Sequence, residues 1–203
     1  MPNLALTPAA QLPGEPEARM ARIMAEAAAI FLTSLDPDQR SRTTFPVGSQ
    51  ERQAWDYRPH KRPGVAWHDL DKSQQRLAHA LLASGLSRQG HAKAMAIMSL
   101  EPVLQSLTGS QTYNPDFYYL TIFGKPGDPG AWGWRVEGHH LSVNILVVGM
   151  RHLAVTPNFF GANPAKVQSG RLAGLRVLAG EENVEPERIR RILRKRLPNS
   201  TSR

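Results

Sequence analysis

The chain has 203 residues, of which 41% are hydrophobic and 21% are charged. These values are typical of one folded domain and argue against global disorder. The sequence contains no cysteine, which excludes disulfides, thiol catalysis, thiolate zinc sites and iron–sulfur clusters held by cysteine.

Charge and hydropathy limit the partners that we expect. The net charge of +8 is spread along the chain, with +3 of it in residues 181–203, and charge spread in this way argues against a nucleic-acid partner. Apolar stretches such as Ala27–Leu32 are far shorter than the roughly 20 residues of a membrane helix. The first sixteen residues contain no Lys or Arg for a secretory signal. We therefore expect a cytoplasmic protein without a membrane partner.

In chain order, the first predicted element is a long helix. Residues 1–14 combine several prolines with no hydrophobic period, which predicts a disordered leader. The helix is predicted to begin near Pro16, since proline suits the first helical position, and to end before Pro37. Helical spacing predicts a buried face made of Met20, Ile23, Met24, Ala27, Phe31 and Leu35.

Residues 41–68 are predicted to be irregular. Trp55 and Tyr57 are expected to anchor this polar stretch, because aromatic rings bury the most surface per residue. Arg52 and Arg58 lie beside these aromatic residues. Each arginine is either a stacked structural group or a clamp for a ligand.

Two more helices are predicted in the first half of the chain. Capping-box spacing predicts a helix over Asp71–Ser84, and Gly85 is a suitable stop. The next helix is predicted to run from the N-cap Ser87 toward Leu107. Pro102 lies inside it and should kink or split it.

The hydrophobic period then changes from 3.6 to 2. Phe117–Phe123 is a predicted strand because it is aromatic and β-branched. Trp132–Val148 is predicted to be one long extended segment that bends near Gly138. A turn then leads into a further strand at Arg151–Val155.

Together these elements predict an α+β fold in which a helical N-terminal half packs on a small antiparallel sheet. We expect residues 15–182 to form a single domain. Residues 183–203 are predicted to be a basic C-terminal helix or tail.

The stretch from Trp132 to Asn144 concentrates residue types that bind ligands or transfer protons. Side chains alternate along a strand, so one face is expected to carry Arg135, Glu137 and His139. The other face is expected to carry His140, Ser142 and Asn144. Adjacent histidines then point apart, whereas a glutamate and a histidine two residues apart converge.

This pattern leads to a predicted site. Glu137, His139 and His140 are the predicted catalytic residues and the candidate ligands of a divalent metal. A bend at Gly138 is expected to bring His140 to the others in one concave region. The predicted ligand-binding residues are Arg135, Trp132, Trp134, Asn144, Arg52 and Tyr57. The alternative is a buried Arg–Glu–His network that only stabilises the sheet.

Three stretches of the sequence carry a resemblance to a known family. They are Tyr118–Pro126, Trp132–Asn144 and Thr156–Ala165. These stretches resemble the Domain of Unknown Function family 3500. Shorter matching pieces lie at Arg52–Pro59, Gln75–Ala78, Gly85–Ser87 and Gly174–Leu178. The resemblance covers most of residues 20–182 and implies no particular activity. It also implies a short or C-terminally truncated member, since the family pattern continues into a further His-rich strand.

Three classes of function stay open at this point. The first is a metal-assisted enzyme that uses Glu137, His139 and His140, with Arg135 holding an anionic substrate or neutralising Glu137. The second is a non-catalytic domain that binds a small molecule on the same surface. The third, which the spread of charge disfavours, is nucleic-acid binding through the basic C-terminal helix.

Overall fold

A computed structural model of the chain describes residues 15–114, 116–176 and 178. The predicted leader at 1–14 and the predicted basic helix or tail at 183–203 lie outside these residues. The described residues have the predicted α+β fold, with the α-helices in the N-terminal half and the longer strands after them.

The helices largely follow the local signals of the sequence, but the predicted buried face of the first helix was wrong at Met20 and Ile23, which are 38% and 45% exposed. They are α1 (Glu15–Ser34), α2 (Pro37–Thr43), α3 (Lys72–Ser84), α4 (Arg88–Met98) and α5 (Glu101–Thr108). The predicted capping box at Asp71 and Gln74 forms at the start of α3. Pro102 splits the third predicted helix into α4 and α5, as expected for a residue that lacks a backbone N–H. Within the described part of the chain, no helix is long and apolar enough to cross a membrane.

The strands form one sheet. They are β1 (Thr44–Phe45), β2 (Val65–Ala66), β3 (Tyr119–Phe123), β4 (Ala131–Gly138), β5 (Leu141–Val148), β6 (His152–Ala154) and β7 (Phe159–Phe160). The order is β1-β3-β4-β5-β6, with β2 also paired to β3 and β7 to β5. The predicted antiparallel pairing holds for each of these pairs except β1 with β3, which is parallel.

The segment Trp132–Val148 is a β-hairpin, and the prediction of one bent strand was wrong. Gly138 pairs with Leu141, so only His139 and His140 form the turn between β4 and β5. His140 has a φ of 57°, in the left-handed region that reverses the chain. The turn lacks the Asn-Gly or Asp-Gly signal of short hairpins, so nothing in the sequence indicates that the extended segment is divided here.

One face of the sheet packs against the helices and forms the main core. Trp132, Trp134 and Val136 of β4 point to this side, together with Val143 and Ile145 of β5. The helices contribute buried residues that include Met24, Phe31, Leu81, Leu82 and Ile97. The two tryptophans are at most 1% exposed, so they serve the core of the protein.

The opposite face carries polar and charged residues but is also buried. Arg135, Glu137 and Ser142 lie on this side and are at most 3% exposed. Segment 46–64 covers them. It was predicted to be irregular but contains a 3₁₀ helix at Gln50–Gln53. Its Pro63 carbonyl accepts a hydrogen bond from the Thr121 hydroxyl of β3. The sheet therefore lies between a helical layer and a layer made mostly of irregular chain.

Candidate functional site

The turn between β4 and β5 is held in place by three other parts of the chain. The His140 N–H donates to the carbonyl of Tyr57 at 2.9 Å, and the Gly161 N–H donates to the carbonyl of His140 at 2.9 Å. The buried Tyr118 hydroxyl donates to the carbonyl of His139 at 2.8 Å. These bonds maintain a backbone conformation that is costly for a residue with a side chain.

His139 forms a buried hydrogen bond with a helix of the other layer. Its Nδ1 lies 2.6 Å from Oε1 of Glu101, in the first turn of α5. Glu101 is 2% exposed and His139 is 6% exposed. An ionised carboxylate can only accept hydrogen bonds, so this contact places the proton of a neutral His139 on Nδ1. Nε2 is then the basic nitrogen of the ring.

His140 lies against His139 but in a different environment. The two ring centroids are 4.4 Å apart, with the planes at 72°. Burial, and then the charge of His139, lower the pKa of His140 to about 4. His140 is therefore a neutral imidazole at physiological pH. Its Nδ1 is buried and has no hydrogen-bond partner in the described parts of the chain.

Aromatic side chains surround the two histidines. We call the whole group the aromatic–histidine cluster; it consists of Trp55, Tyr57, Tyr113, His139, His140 and Phe159. Tyr57 and Phe159 lie 5.7 and 6.0 Å from the His140 ring, measured between centroids. Tyr113 lies 5.2 Å from the His139 ring. Trp55, Tyr57, Tyr113 and His140 are only partly buried, so the cluster reaches the protein surface.

A second group of side chains binds segment 46–64 to the sheet. This arginine–carboxylate cluster consists of Glu51, Arg62, Arg135 and Glu137. Arg135 donates to the carbonyls of Glu51 and Ala54 at 2.9 and 2.6 Å, and it is paired with the Glu51 carboxylate. Its Nη2 lies 2.9 Å from Oε1 of Glu137. One arginine thus connects the covering segment to its own strand.

Arg62 completes the arginine–carboxylate cluster from the covering segment. It donates to the backbone carbonyls of Asp56, Arg58 and His60 at 3.2, 2.6 and 3.0 Å. Its Nε lies 3.8 Å from Oε2 of Glu137. Burial raises the pKa of Glu137 to about 7, although the charges of Arg135 and Arg62 oppose that shift.

The structure separates the residues that were predicted to share one face. Arg135 and Glu137 are together, but His139 lies in the turn and pairs with Glu101 instead of Glu137. The expectation that the two histidines point apart was wrong, because a turn does not alternate like a strand. His140 is brought to Tyr57, one of the predicted ligand-binding residues.

The remaining predicted residues lie elsewhere. Trp132 and Trp134 face the helical core, on the side of β4 opposite Arg135, so they cannot line a site with it. The Arg52 Nε donates to the carbonyl of Val47 at 3.0 Å within the covering segment. The Asn144 amide donates to the Ser142 hydroxyl at 3.0 Å and to the Pro157 carbonyl at 2.6 Å.

Sequence reasoning missed Glu101, Tyr113 and Phe159. The sequence could have indicated Glu101, because an acidic residue between Leu100 and the apolar positions of α5 is a candidate buried carboxylate. Nothing in the sequence connects it to His139, which is 38 positions away.

Glu137, His139 and His140 were also predicted to be candidate metal ligands. The described residues contain no group of three or more His, Asp or Glu side chains arranged to hold a metal ion. Glu137 is instead paired with two arginines, and Glu101 is paired with His139.

Comparison with known proteins gives one match. A family model described as "Protein of unknown function (DUF3500)" matches residues 17–196. No curated protein and no solved structure matches the chain.

Proposed function

Because the chain belongs to DUF3500, a family of unknown function, its activity has to be inferred from its own side chains, and we propose that it is an enzyme with a general base at His139. The observation that carries this proposal is the buried hydrogen bond of 2.6 Å between His139 and Glu101. The substrate is a small molecule that binds at the aromatic–histidine cluster.

The roles of the two residues follow from the hydrogen bond. With its Nδ1 proton directed to Glu101, His139 takes a proton from the substrate at Nε2. The imidazolium that forms remains paired with the Glu101 carboxylate, which stabilises the new positive charge. A carboxylate orients the basic histidine of hydrolase triads in the same way.

His140 supports the proposal through its neutrality. With a pKa near 4, it does not add a positive charge beside His139 when His139 becomes protonated. Its left-handed backbone would suit glycine or asparagine better, yet a histidine occupies the position. A side chain kept at a strained position beside an ionisable pair is typical of functional sites.

A non-catalytic binding domain is the second candidate. The half-buried rings of Trp55 and Tyr57 favour it, because an open group of aromatic side chains binds small molecules without any chemistry. In that case the His139–Glu101 bond would only hold the turn in place.

Turnover in a mixture of small molecules separates the two candidates. Purified protein is incubated with a metabolite extract, and mass spectrometry identifies compounds that are consumed or formed. We expect His139→Gln and Glu101→Gln to abolish the change that wild-type protein causes. His152→Gln is the matched control, because His152 is exposed on β6.

The possible outcomes are distinct. Loss of turnover in both site variants, with wild-type turnover in the control, supports the enzyme. A compound that is retained by wild-type protein but chemically unchanged supports the binding domain. An extract that wild-type protein leaves unchanged and unbound, or that His139→Gln converts equally well, contradicts the proposal.

A further inference from the structure

We infer that the ligand of the aromatic–histidine cluster is an aromatic molecule that carries either no charge or a positive charge. This inference rests on the proposed site at His139 and adds the chemical class of its ligand. It replaces the anionic substrate that Arg135 was expected to bind.

Arg58, Arg135 and Arg62 lie near the cluster, and each is bound to protein acceptors. Arg58, which follows Tyr57 and is exposed, binds the Asp56 carboxylate. Arg135 binds two backbone carbonyls and two carboxylates, and its side chain is fully buried. Arg62 binds three backbone carbonyls, and its side chain is 2% exposed. A carboxylate or phosphate ligand would have to break these bonds to reach either guanidinium group, at the cost of leaving buried groups unpaired.

The charged group that pairs with His139 is negative, in contrast to the positive arginines. Glu101 is the carboxylate that pairs with His139, and no other ionic partner of that ring occurs among the residues described. Glu101 would therefore repel an anionic ligand, whereas it would not repel a neutral or cationic one.

The rings of the cluster favour a flat ligand. Trp55, Tyr57 and Phe159 contact one another with centroids 5.5 to 5.9 Å apart, and Tyr57 also meets the edge of His140. Such a surface offers ring faces and edges to an aromatic group, and ring faces also attract cations. The indole Nε1 of Trp55 lacks a hydrogen-bond partner in the part of the chain that the structure describes. A ligand hydroxyl would supply one if the ring shifted on binding.

A charge-matched series of small probes tests this inference. Benzyl alcohol, benzylamine, benzoate and cyclohexylmethanol are titrated into full-length protein, and the side-chain nitrogen signals of His139, His140 and Trp55 are followed by NMR. We expect benzyl alcohol and benzylamine to shift these signals with saturation. Benzoate and cyclohexylmethanol should bind at least about tenfold more weakly, which corresponds to about 1.4 kcal/mol.

Matched variants locate the binding. Tyr57→Leu should weaken benzyl alcohol binding by about tenfold, since it removes one ring of the cluster. Phe45→Leu is the control, because Phe45 packs on Phe123 in β3, away from the cluster, and should leave the affinity unchanged.

Benzoate binding as tight as that of benzylamine, or no saturable shift with any probe, would overturn the ligand class. Neither result bears on the proposed general base, which is tested by the loss of turnover in His139→Gln. If His139→Gln loses turnover and wild-type protein binds benzoate tightly, the general base is supported and only the ligand class is rejected.

Discussion

The two clusters beside β4 contain similar chemical groups in different settings. In the arginine–carboxylate cluster, Arg135 and Arg62 bind the covering segment through backbone carbonyls and carboxylates, and their side chains are at most 2% exposed. In the aromatic–histidine cluster, the described residues give His139 one charged partner and leave one buried nitrogen of His140 without a partner. Trp55, Tyr57 and Tyr113 are only partly buried there.

The difference indicates how the two regions divide their roles. A buried network with its terminal nitrogens bound to protein stabilises the fold and has little capacity left for a ligand. A histidine pair that is held by the backbone and lies among partly exposed aromatic side chains is available for binding and proton transfer. We therefore expect changes in the first region to affect stability and changes in the second to affect function.

The largest expected effect on stability is that of Arg135→Met. The change removes the bonds to the covering segment and leaves Glu137 buried beside one more distant arginine. We expect a loss of about 3–5 kcal/mol in the free energy of unfolding, as for other broken buried ion pairs. Urea unfolding measures it. Arg58→Met is the control, since the Arg58 side chain is 62% exposed, and it should cost at most about 1 kcal/mol. Equal stability of the two variants would show that the cluster does not hold the segment.

The next prediction uses pH to isolate Glu137. Its pKa is about 7 in the folded protein and near 4.5 when unperturbed, so the folded state binds this proton more tightly than the unfolded state. The stability contribution of the carboxyl is therefore highest below pH 4.5 and falls as the pH rises toward 7. His140, with its lowered pKa of about 4, acts in the opposite sense and loses stability as the pH falls from 6.5 to 4.

The comparison of wild type with Glu137→Gln removes the His140 contribution, which both proteins share. At 1.36 kcal/mol per pKa unit, the advantage of wild type over the variant should decrease by about 2–3 kcal/mol between pH 5 and pH 8. Urea unfolding at both pH values measures this difference. An advantage that grows as the pH rises would mean that the two arginines hold the pKa of Glu137 below its usual value.

A smaller effect is expected where the two regions meet, at Gly138. A Cβ at this position would lie 2.3 to 2.8 Å from three ring carbons of the buried Tyr118, which donates the hydrogen bond to the His139 carbonyl. Gly138→Ala should therefore destabilise the protein by about 1–3 kcal/mol through overpacking. Gly48→Ala is the matched control, because a Cβ there has no atom within 4 Å. If thermal unfolding shows no difference between the variants, Tyr118 does not determine the position of the turn.

The smallest effect on stability is expected for His140→Asn. The left-handed backbone costs most side chains about 1–2 kcal/mol, and asparagine tolerates it better than other residues. Relief of that strain should offset the lost ring contacts, leaving stability within about 1 kcal/mol of wild type. Turnover or probe binding should nevertheless be lost. A variant that keeps full function would place His140 among the structural residues.

Local signals allowed α1, α3 and the break between α4 and α5 to be predicted, although not the short helix α2. The site depended on contacts that the sequence does not encode locally. The cap at Asp71 and the break at Pro102 each act within a few residues of their own position. The His139–His140 turn is instead fixed by Tyr57 and Gly161, which are distant in sequence. Its conformation therefore could not be read from the alternation of β4 and β5.

Alternation along a strand already argued against a site that combines Arg135 with both tryptophans. Trp132 and Trp134 are even-numbered neighbours of Arg135 on one strand, so a strand necessarily places them on the other face. Glu137 is paired with Arg135 and Arg62, and the partner of His139 is a residue distant in sequence. Only the packing of α5 against the turn identifies Glu101.

If Glu101 orients His139 as a base, the tautomer of that imidazole must depend on Glu101. Nitrogen-15 NMR of the histidine side chains, assigned with His139→Gln, distinguishes a proton on Nδ1 from one on Nε2. We expect neutral His139 to carry its proton on Nδ1 in wild type and to shift toward the Nε2-protonated form in Glu101→Gln, while Glu26→Gln, on the exposed side of α1, has no effect. A proton on Nε2 in the wild-type protein, or a tautomer that Glu101→Gln leaves unchanged, would contradict this role of Glu101.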